Sequence, residues 1–352
     1  MSDTPSPWDL LFKPEYYLNS VDLGAGQCHF LKLGDDAYRR SSFMDHRLRS
    51  QTGESMQAPF AVLESMVREH QASSRPSPVH YIFHTAFCCS TLISRCLDIE
   101  GISRAVREPA VLMQMANYKR TGDAYPVNGN PWPGLLSTVL FLVAKPRSDG
   151  EIVLIKPTNA ANNLADEIIR MPQTGGVLLL YSKLEQFLVS ILKKGEEGRA
   201  FVRRLFNVIR RDSERTNALP LESLAQLTDM QIAAFVWYLQ MDAYLKLLAD
   251  FPNAVIRTLD CDTFLTSPLT TLVKLCHLFE MRVEKGALEA IVAGPDFTRH
   301  SKDDSRDYDS SARSSEYEQI VREHRITLDG ILAWSEGLRP EGPIRVPLAR
   351  AL

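Results

Sequence analysis

From Val79 onward, short and wholly apolar runs alternate with segments whose apolar residues recur at helical spacing. "VHYIFHTAF", the start of "SRAVREPAVLMQM", "EIVLIKPTN", "GGVLLLYS" and "AVIRTLDCD" have the length and character of buried strands. Between them, "STLISRCLDI", "PGLLSTVLFLVAKP", "AANNLADEIIRM" and "LEQFLVSILKKGE" carry the helical period. Longer helices are predicted at "EEGRAFVRRLFNVIRR" and "DMQIAAFVWYLQMDAYLKLLADF", and a last one at "PLTTLVKLCHLFEM". Strands that are apolar on both faces and separated by helices define a parallel sheet covered on both sides, a three-layer α/β fold. Ligands of such sheets gather at the carboxyl ends of the strands, in the loops that lead into helices.

The first 78 residues follow another pattern. "HFLKLG" and "YRRSSFMDHRL" are short and partly alternating, with strand or turn character. "APFAVLESMVREHQ" places Phe60, Leu63, Met66 and Val67 on one helical face. The Ser/Pro stretch "ASSRPSPV" then marks a linker. The chain therefore divides into an N-terminal extension, residues 1–78, and an α/β domain, residues 79–345. No internal repeat or low-complexity tract interrupts it.

Composition narrows the function classes. The 352 residues are 45% apolar, enough for a sizeable core, and the formal net charge of −3 lacks the global basic field of a nucleic-acid binder. No apolar run approaches the ~20 residues that span a bilayer. The N-terminus has no charged segment followed by an apolar one, so a cytoplasmic protein without a leader is expected. Cys28, Cys88, Cys89, Cys96, Cys261 and Cys276 follow neither a disulfide framework nor a zinc spacing, which points to reduced thiols.

The stretch "HYIFHTAFCCSTLISRCLD" reads as strand, tight turn and helix, the layout in which opening amides of a helix hold a phosphate. The backbone N–H groups from Cys88 to Leu92, with the hydroxyls of Ser90 and Thr91, are the candidate donors. The turn lacks the glycine and lysine of GxxxxGK[ST], which argues against simple nucleotide hydrolysis. His84 on the strand is a candidate for an anion contact or proton transfer, or a core histidine bonded to backbone. Cys88 and Cys89 are small packing residues, or thiols activated at a helix terminus.

Two further positions carry chemistry. Glu108, in "VREPAVL", follows the second strand and could act as a general base, or simply favour the start of a helix at Pro109. Lys156 ends the apolar strand "IVLIK" and should point toward the ligand edge, since burying it is costly; the other reading is a lysine that reaches solvent. Arg203, Arg204, Arg210 and Arg211 form a basic run, which reads as a solvated face or a grip on an acidic substrate. Asp260 and Asp262 read as turn and helix caps, with metal binding as the alternative.

Across residues 79–320 the order of segments resembles the P-loop-like sulfotransferases that use PAPS (3′-phosphoadenosine 5′-phosphosulfate). Their first loop reads approximately PKSGTTW or PRSGTTL, against "AFCCSTL" here. "VIRTLDCDTFLTSPLTTLVKLCHLFEM" is similar to a late strand–helix segment of that family. The resemblance implies PAPS as cofactor, no metal, and Glu108 as base toward an acceptor hydroxyl or amine. It implies Lys156 as the cation on the transferring group and Phe87–Leu92 as the 5′ loop. The family's basic residue falls on Phe87 and its glycine on Cys89. In its strand–RxPxxxxxS pattern the serine falls on Ser190 and the arginine on Ser182. The cation for a 3′-phosphate then falls to Lys183, or to Arg299, His300 and Lys302 in "FTRHSKDDSRDYDSS", a stretch that otherwise reads as a solvated loop. These departures keep open a second class of function, a degenerate fold that serves as a binding or scaffold module. A phosphotransferase is a third, without an obvious metal-holding carboxylate. The acceptor is not legible, and "IAAFVWYLQM" offers an apolar helix for a second copy of the chain.

Overall fold

The computed structural model describes residues 5–45, 47–48, 55–74, 77–122, 132–217, 221–300, 303–307 and 310–352. Three antiparallel strands come first: β1 (Tyr16–Asp22), β2 (Gln27–Lys32) and β3 (Ser55–Pro59), in the order β1-β2-β3. A second sheet has five strands: β4 (Val79–His84), β5 (Ser103–Arg107), β6 (Ile152–Lys156), β7 (Thr174–Tyr181) and β8 (Ile256–Asp260). Their order is β5-β6-β4-β7-β8. β6 pairs in parallel with both β4 and β5. The bonds from Val79 N–H to the Gln173 carbonyl and from Thr85 N–H to the Leu180 carbonyl advance together along β4 and β7, so this pair is parallel too. The expected α/β architecture, a parallel sheet flanked by helices, is what the chain forms.

The chain forms two compact units. The first comprises Met1–Phe83, Thr91–Val177 and Val273–Ala287; the second comprises His84–Ser90, Leu178–Leu272 and Leu288–Leu352. The chain passes from one to the other at five points, two of them within β4 and β7.

In the first unit, residues expected as strand or turn in "YRRSSFMDHRL" form part of a helix instead. The helix Asp35–Arg40 has Asp35 and Asp36 in its first turn and Arg39 and Arg40 in its last, which matches the helix dipole at both ends. Tyr38 from this helix is buried and donates to the Pro14 carbonyl at 2.7 Å. The helix Phe60–Ser73 buries Phe60, Leu63 and Val67 as the spacing predicts, while Met66 is only half-buried. The apolar run "GLLSTVLFLVA" forms a buried helix, Trp132–Val143.

β4 carries a buried imidazole in this unit. His80 accepts the Gly176 N–H at Nδ1 (2.8 Å), and its ring meets Phe279 edge-on at 5.5 Å. The two glycines opening β7 follow from close approach. A Cβ on Gly175 would lie 2.7 Å from the His80 ring, and one on Gly176 would lie 2.3 Å from the Leu278 carbonyl oxygen. Burial holds the His80 imidazole down at about 4, against an ordinary value of 6.5. Between these values the unfolded chain binds the proton and the folded chain does not. His80 therefore contributes stability above pH 6.5 that is lost as pH falls toward 4, on the order of 3 kcal/mol. Urea denaturation across this window should show that loss, and His80→Phe should flatten it.

In the second unit the long helix Asp229–Asp250 begins with a capping box between Thr228 and Gln231. Within "IAAFVWYLQM", Ile232, Ala233, Ala234, Val236, Trp237, Tyr238, Gln240 and Met241 are buried, so packing inside the unit accounts for the apolar character of that helix. The stretch "FTRHSKDDSRDYDSS" is not simply a loop. Arg299–His300 (β9) and Asp303–Asp307 (β10) pair as antiparallel strands. The C-terminus also adds to β8: Thr258 N–H donates to the Arg350 carbonyl and Leu352 N–H to the Thr258 carbonyl, both at 3.0 Å. Among the described residues no helix is long and apolar enough to cross a membrane.

Candidate functional site

In the first unit the structure brings Glu108 and Lys156 together. β5 and β6 pair in register with Arg107 opposite Lys156, so the residue after Arg107 falls at the sheet edge. There the Glu108 N–H donates to the Lys156 carbonyl at 2.6 Å, and the Lys156 ammonium donates to Glu108 Oε1. The lysine side chain is 1% exposed and the glutamate 16%, so this ion pair is largely out of water. Glu108 has a left-handed backbone, φ 51°, a conformation that costs a non-glycine residue about 1–2 kcal/mol. Met44 holds that kink on both sides: its N–H donates to the Arg107 carbonyl at 2.7 Å and its carbonyl accepts from Ala110 N–H at 2.9 Å.

This brace was not foreseen from sequence. The Phe43 ring centroid lies 5.9 Å from Lys156 Nζ and 3.9 Å from the Arg47 guanidinium carbon. Arg47 in turn is held by Asp45, with Nε to Oδ1 at 2.7 Å. Behind it, the fully buried Arg107 donates to the carbonyls of Tyr38 (2.5 Å), Arg39 (2.9 Å) and Ser41 (2.9 Å) and pairs with Asp98 at 2.9 Å. A polar stretch of "YRRSSFMDHRL" thus becomes an ordered strap because a buried guanidinium binds its carbonyls. Thr91 and Leu92, which also lie in this unit, are buried in the helix Ser90–Cys96.

The second unit holds the rest of the loop, His84–Ser90. Its turn contains three left-handed residues without a glycine among them: Ala86 (φ 68°), Phe87 (φ 49°) and Cys89 (φ 63°). Several bonds pay for that backbone. Thr85 N–H donates to the Leu180 carbonyl at 3.1 Å, and Gln240 Nε2 donates to the Thr85 carbonyl at 3.2 Å. Ala86 N–H donates to His84 Nδ1 at 3.3 Å, so the His84 ring bonds to backbone of its own loop. Cys88 Sγ donates weakly to the Leu180 carbonyl at 3.7 Å.

Phe87 stands where a cation was sought, and it packs as an aromatic. Its ring lies 5.3 Å from Phe201 and 5.8 Å from Phe187, centroid to centroid. The ring is half-buried, so Phe87→Ala should cost roughly 2 kcal/mol, below the range for a fully buried phenylalanine. A chemical denaturation midpoint with an unchanged slope would measure it.

Several other candidates of this unit have partners within it. Lys183 lies 3.2 Å from Asp262 and 3.7 Å from Asp260, and its ammonium is held above its ordinary pKa, chiefly by the hydrogen bond to Asp262. Asp260 is also the N-cap of the helix Cys261–Thr266, accepting from Asp262 N–H at 3.2 Å, as expected of a cap. Ligand atoms of Asp260, Cys261 and Asp262 lie within 4.8 Å of one another, with the Lys183 ammonium beside the two carboxylates. Ser190 turns its hydroxyl back to the Gln186 carbonyl at 2.9 Å, and Ser182 is fully buried with its carbonyl accepting from Trp237 Nε1 at 2.7 Å. Neither the Ser182 hydroxyl nor that of Thr85 has a hydrogen-bond partner among the described residues. Ser90 is buried at the helix start. Arg299 and His300 lie on β9, and Lys302 lies outside the described residues. Arg203 pairs with Asp229, while Arg210 and Arg211 sit in a 3-10 turn after the helix Gly195–Ile209.

No protein-family model matches the chain, and no curated protein matches it. Among solved structures it is similar to the sulfotransferase domain from the curacin biosynthetic pathway, at 14% identity and a TM-score of 0.41, over 71% of this chain and 98% of that one. It is also similar to the sulfotransferase STF9 from Mycobacterium avium, at 9% identity and a TM-score of 0.39, over 75% of this chain and 81% of that one.

Proposed function

We propose that this chain transfers a sulfuryl group from PAPS to a hydroxyl or amine of an acceptor. The observation that carries the reading is the Glu108–Lys156 pair: a carboxylate and an ammonium, largely desolvated, at the ends of two adjacent parallel strands, with Glu108 in a strained backbone. Strain of this kind persists where surrounding structure over-determines it and is frequent at functional sites. In this reading Glu108 takes the proton of the acceptor as its oxygen or nitrogen attacks sulfur in line. Lys156 balances the negative charge that develops on the transferring and leaving oxygens. PAPS, when bound, supplies the sulfuryl group and leaves as PAP. The left-handed residues Phe87 and Cys89, on either side of Cys88, support an anion-binding role for the loop amides, because N–H groups converge where left-handed and other residues alternate. The cofactor's two ends fit less well: at the 3′-phosphate Lys183 is committed to two aspartates, and in the 5′ loop Phe87, at the place of a basic residue, packs on two aromatic rings.

That last observation favours a second reading, a scaffold of the same fold that binds a partner without a nucleotide. Calorimetric titration with PAP separates the two. Saturable binding in the micromolar range, with transfer of labelled sulfate from PAPS to an acceptor library, supports the enzyme. No heat at millimolar PAP overturns it.

A further inference from the structure

Phe43 is the aromatic residue of the strap beside the Glu108–Lys156 pair, and two cations lie over its ring. Lys156 Nζ is 5.9 Å from the ring centroid, and the Arg47 guanidinium carbon is 3.9 Å from it. At both distances a cation is attracted to the negative face of an aromatic ring. The charge of Arg47 is balanced by Asp45, with Nε to Oδ1 at 2.7 Å. The backbone holds the ring in place from both sides. The Ser41 carbonyl accepts from Arg107 Nε at 2.9 Å, and the Ser42 hydroxyl accepts from Arg95 Nη2 at 2.9 Å. The Met44 carbonyl accepts from the Tyr17 hydroxyl at 2.8 Å as well as from Ala110 N–H. Phe43 itself is only half-buried, so these bonds fix its position more than burial of the ring does.

We infer that Phe43 is a positioning residue for Lys156: the face of its ring anchors the ammonium when Glu108 is neutral. The use of that anchor rests on the sulfuryl-transfer reading. There the acceptor's proton passes to a carboxylate oxygen of Glu108, and the freed electron pair forms the bond to sulfur. The bond from sulfur to the bridging phosphate oxygen breaks, and its electrons leave on PAP. Lys156 balances charge on the moving group in the same step. Its ion pair among the described residues is with Glu108, and proton uptake cancels that partner's charge. A side chain that is 1% exposed cannot recover the loss from bulk water. An aromatic ring does not titrate, so its attraction for the ammonium is the same before and after the proton moves. An aliphatic side chain of similar bulk would fill the space without that attraction.

Two variants separate the ring's attraction from its bulk. Phe43→Leu keeps an apolar side chain without the aromatic face, and Phe43→Tyr keeps the face. Each is made alone and together with Glu108→Gln, which holds that position neutral. The intact proteins are treated with an amine-acylating reagent, and the modification rate of Lys156 is read by mass spectrometry. With Glu108→Gln, Phe43→Leu should raise that rate by about two- to thirty-fold, the size of one cation–π contact. Phe43→Tyr should leave it where Glu108→Gln alone puts it. Equal rates for the leucine and tyrosine variants overturn the proposal. Where Glu108→Gln fails to fold, the same comparison in the wild-type background decides, with the leucine variant again modified faster. Transfer kinetics give a second signature: Phe43→Leu lowers kcat with KM nearly unchanged, and Phe43→Tyr restores it. Faster labelling in Phe43→Leu alone, with no binding of PAP, sinks the transfer reading and keeps the anchor. Binding of PAP, with the two variants alike in labelling and kcat, sinks the anchor and keeps the transfer reading.

Discussion

Lys156→Met should abolish transfer and destabilise the protein together. Removing the ammonium leaves the Glu108 carboxylate facing an apolar side chain at a largely buried position, and breaking such a pair from one side typically costs about 3–5 kcal/mol. Glu108→Gln should also be costly, since it strands a lysine that is 1% exposed. The double variant Lys156→Met with Glu108→Gln removes both charges, so its loss should fall short of the sum of the single losses by about 1–3 kcal/mol. A double-mutant cycle by urea denaturation measures that coupling. Additive losses would mean that the two side chains do not act as a pair. Activity carries a different signature. If the pair is only structural, the double variant regains function as it regains stability. If the pair is catalytic, with Glu108 as base and Lys156 on the transferring group, transfer in the double variant stays down by at least roughly 10²–10³-fold while the fold recovers.

The strand carrying Lys156 was legible in the chain because "IVLI" is apolar on both faces and a lone lysine at its end stands out, whereas "SRAVR" before Glu108 is buried although it holds Ser103, Arg104 and Arg107. "IVLIK" and "SRAVR" pair in parallel and end together, with Arg107 opposite Lys156. The brace over the pair was not legible. Nothing in "SSFMD" has a period, and the chain leading into it is held by Arg107, more than 60 residues away in sequence, which binds the carbonyls of Tyr38, Arg39 and Ser41. The loop posed the opposite difficulty. Glycine is the usual sequence signal of left-handed backbone, and here Ala86, Phe87 and Cys89 adopt it without one. The conformation is held by tertiary bonds from Leu180 and Gln240, which a local reading does not reveal. Lys183 is a candidate cation on spacing alone, and the sequence does not reveal its partners. Its charge is taken up by Asp260 and Asp262, which reach it from the end of β8.

Arg107→Met should be among the most damaging substitutions in the chain, although Arg107 is not itself a candidate catalytic residue. Its guanidinium is 1% exposed and spends its donors on three backbone carbonyls and on Asp98, itself only 6% exposed. Methionine fills much of the volume but leaves those carbonyls and a buried carboxylate without their donor, a loss of about 3–5 kcal/mol. Arg147, which reaches Asp98 at 3.3 Å, offsets only part of it. Arg107→Lys should rescue little, because a single ammonium cannot span the fork of carbonyls that the guanidinium does. The damage should spread in one direction. Released carbonyls free the strap that carries Phe43 and Met44, and Met44 is what clamps the backbone on either side of Glu108. Limited proteolysis should therefore cut near residues 41–48 in Arg107→Lys under conditions in which the wild type resists. A positioning role also predicts that kcat falls more than KM rises for any acceptor found, because the kink at Glu108 loosens while the remaining contacts persist. Unchanged cleavage near the strap, with stability lost everywhere alike, would mean that Arg107 supports the core and not the brace.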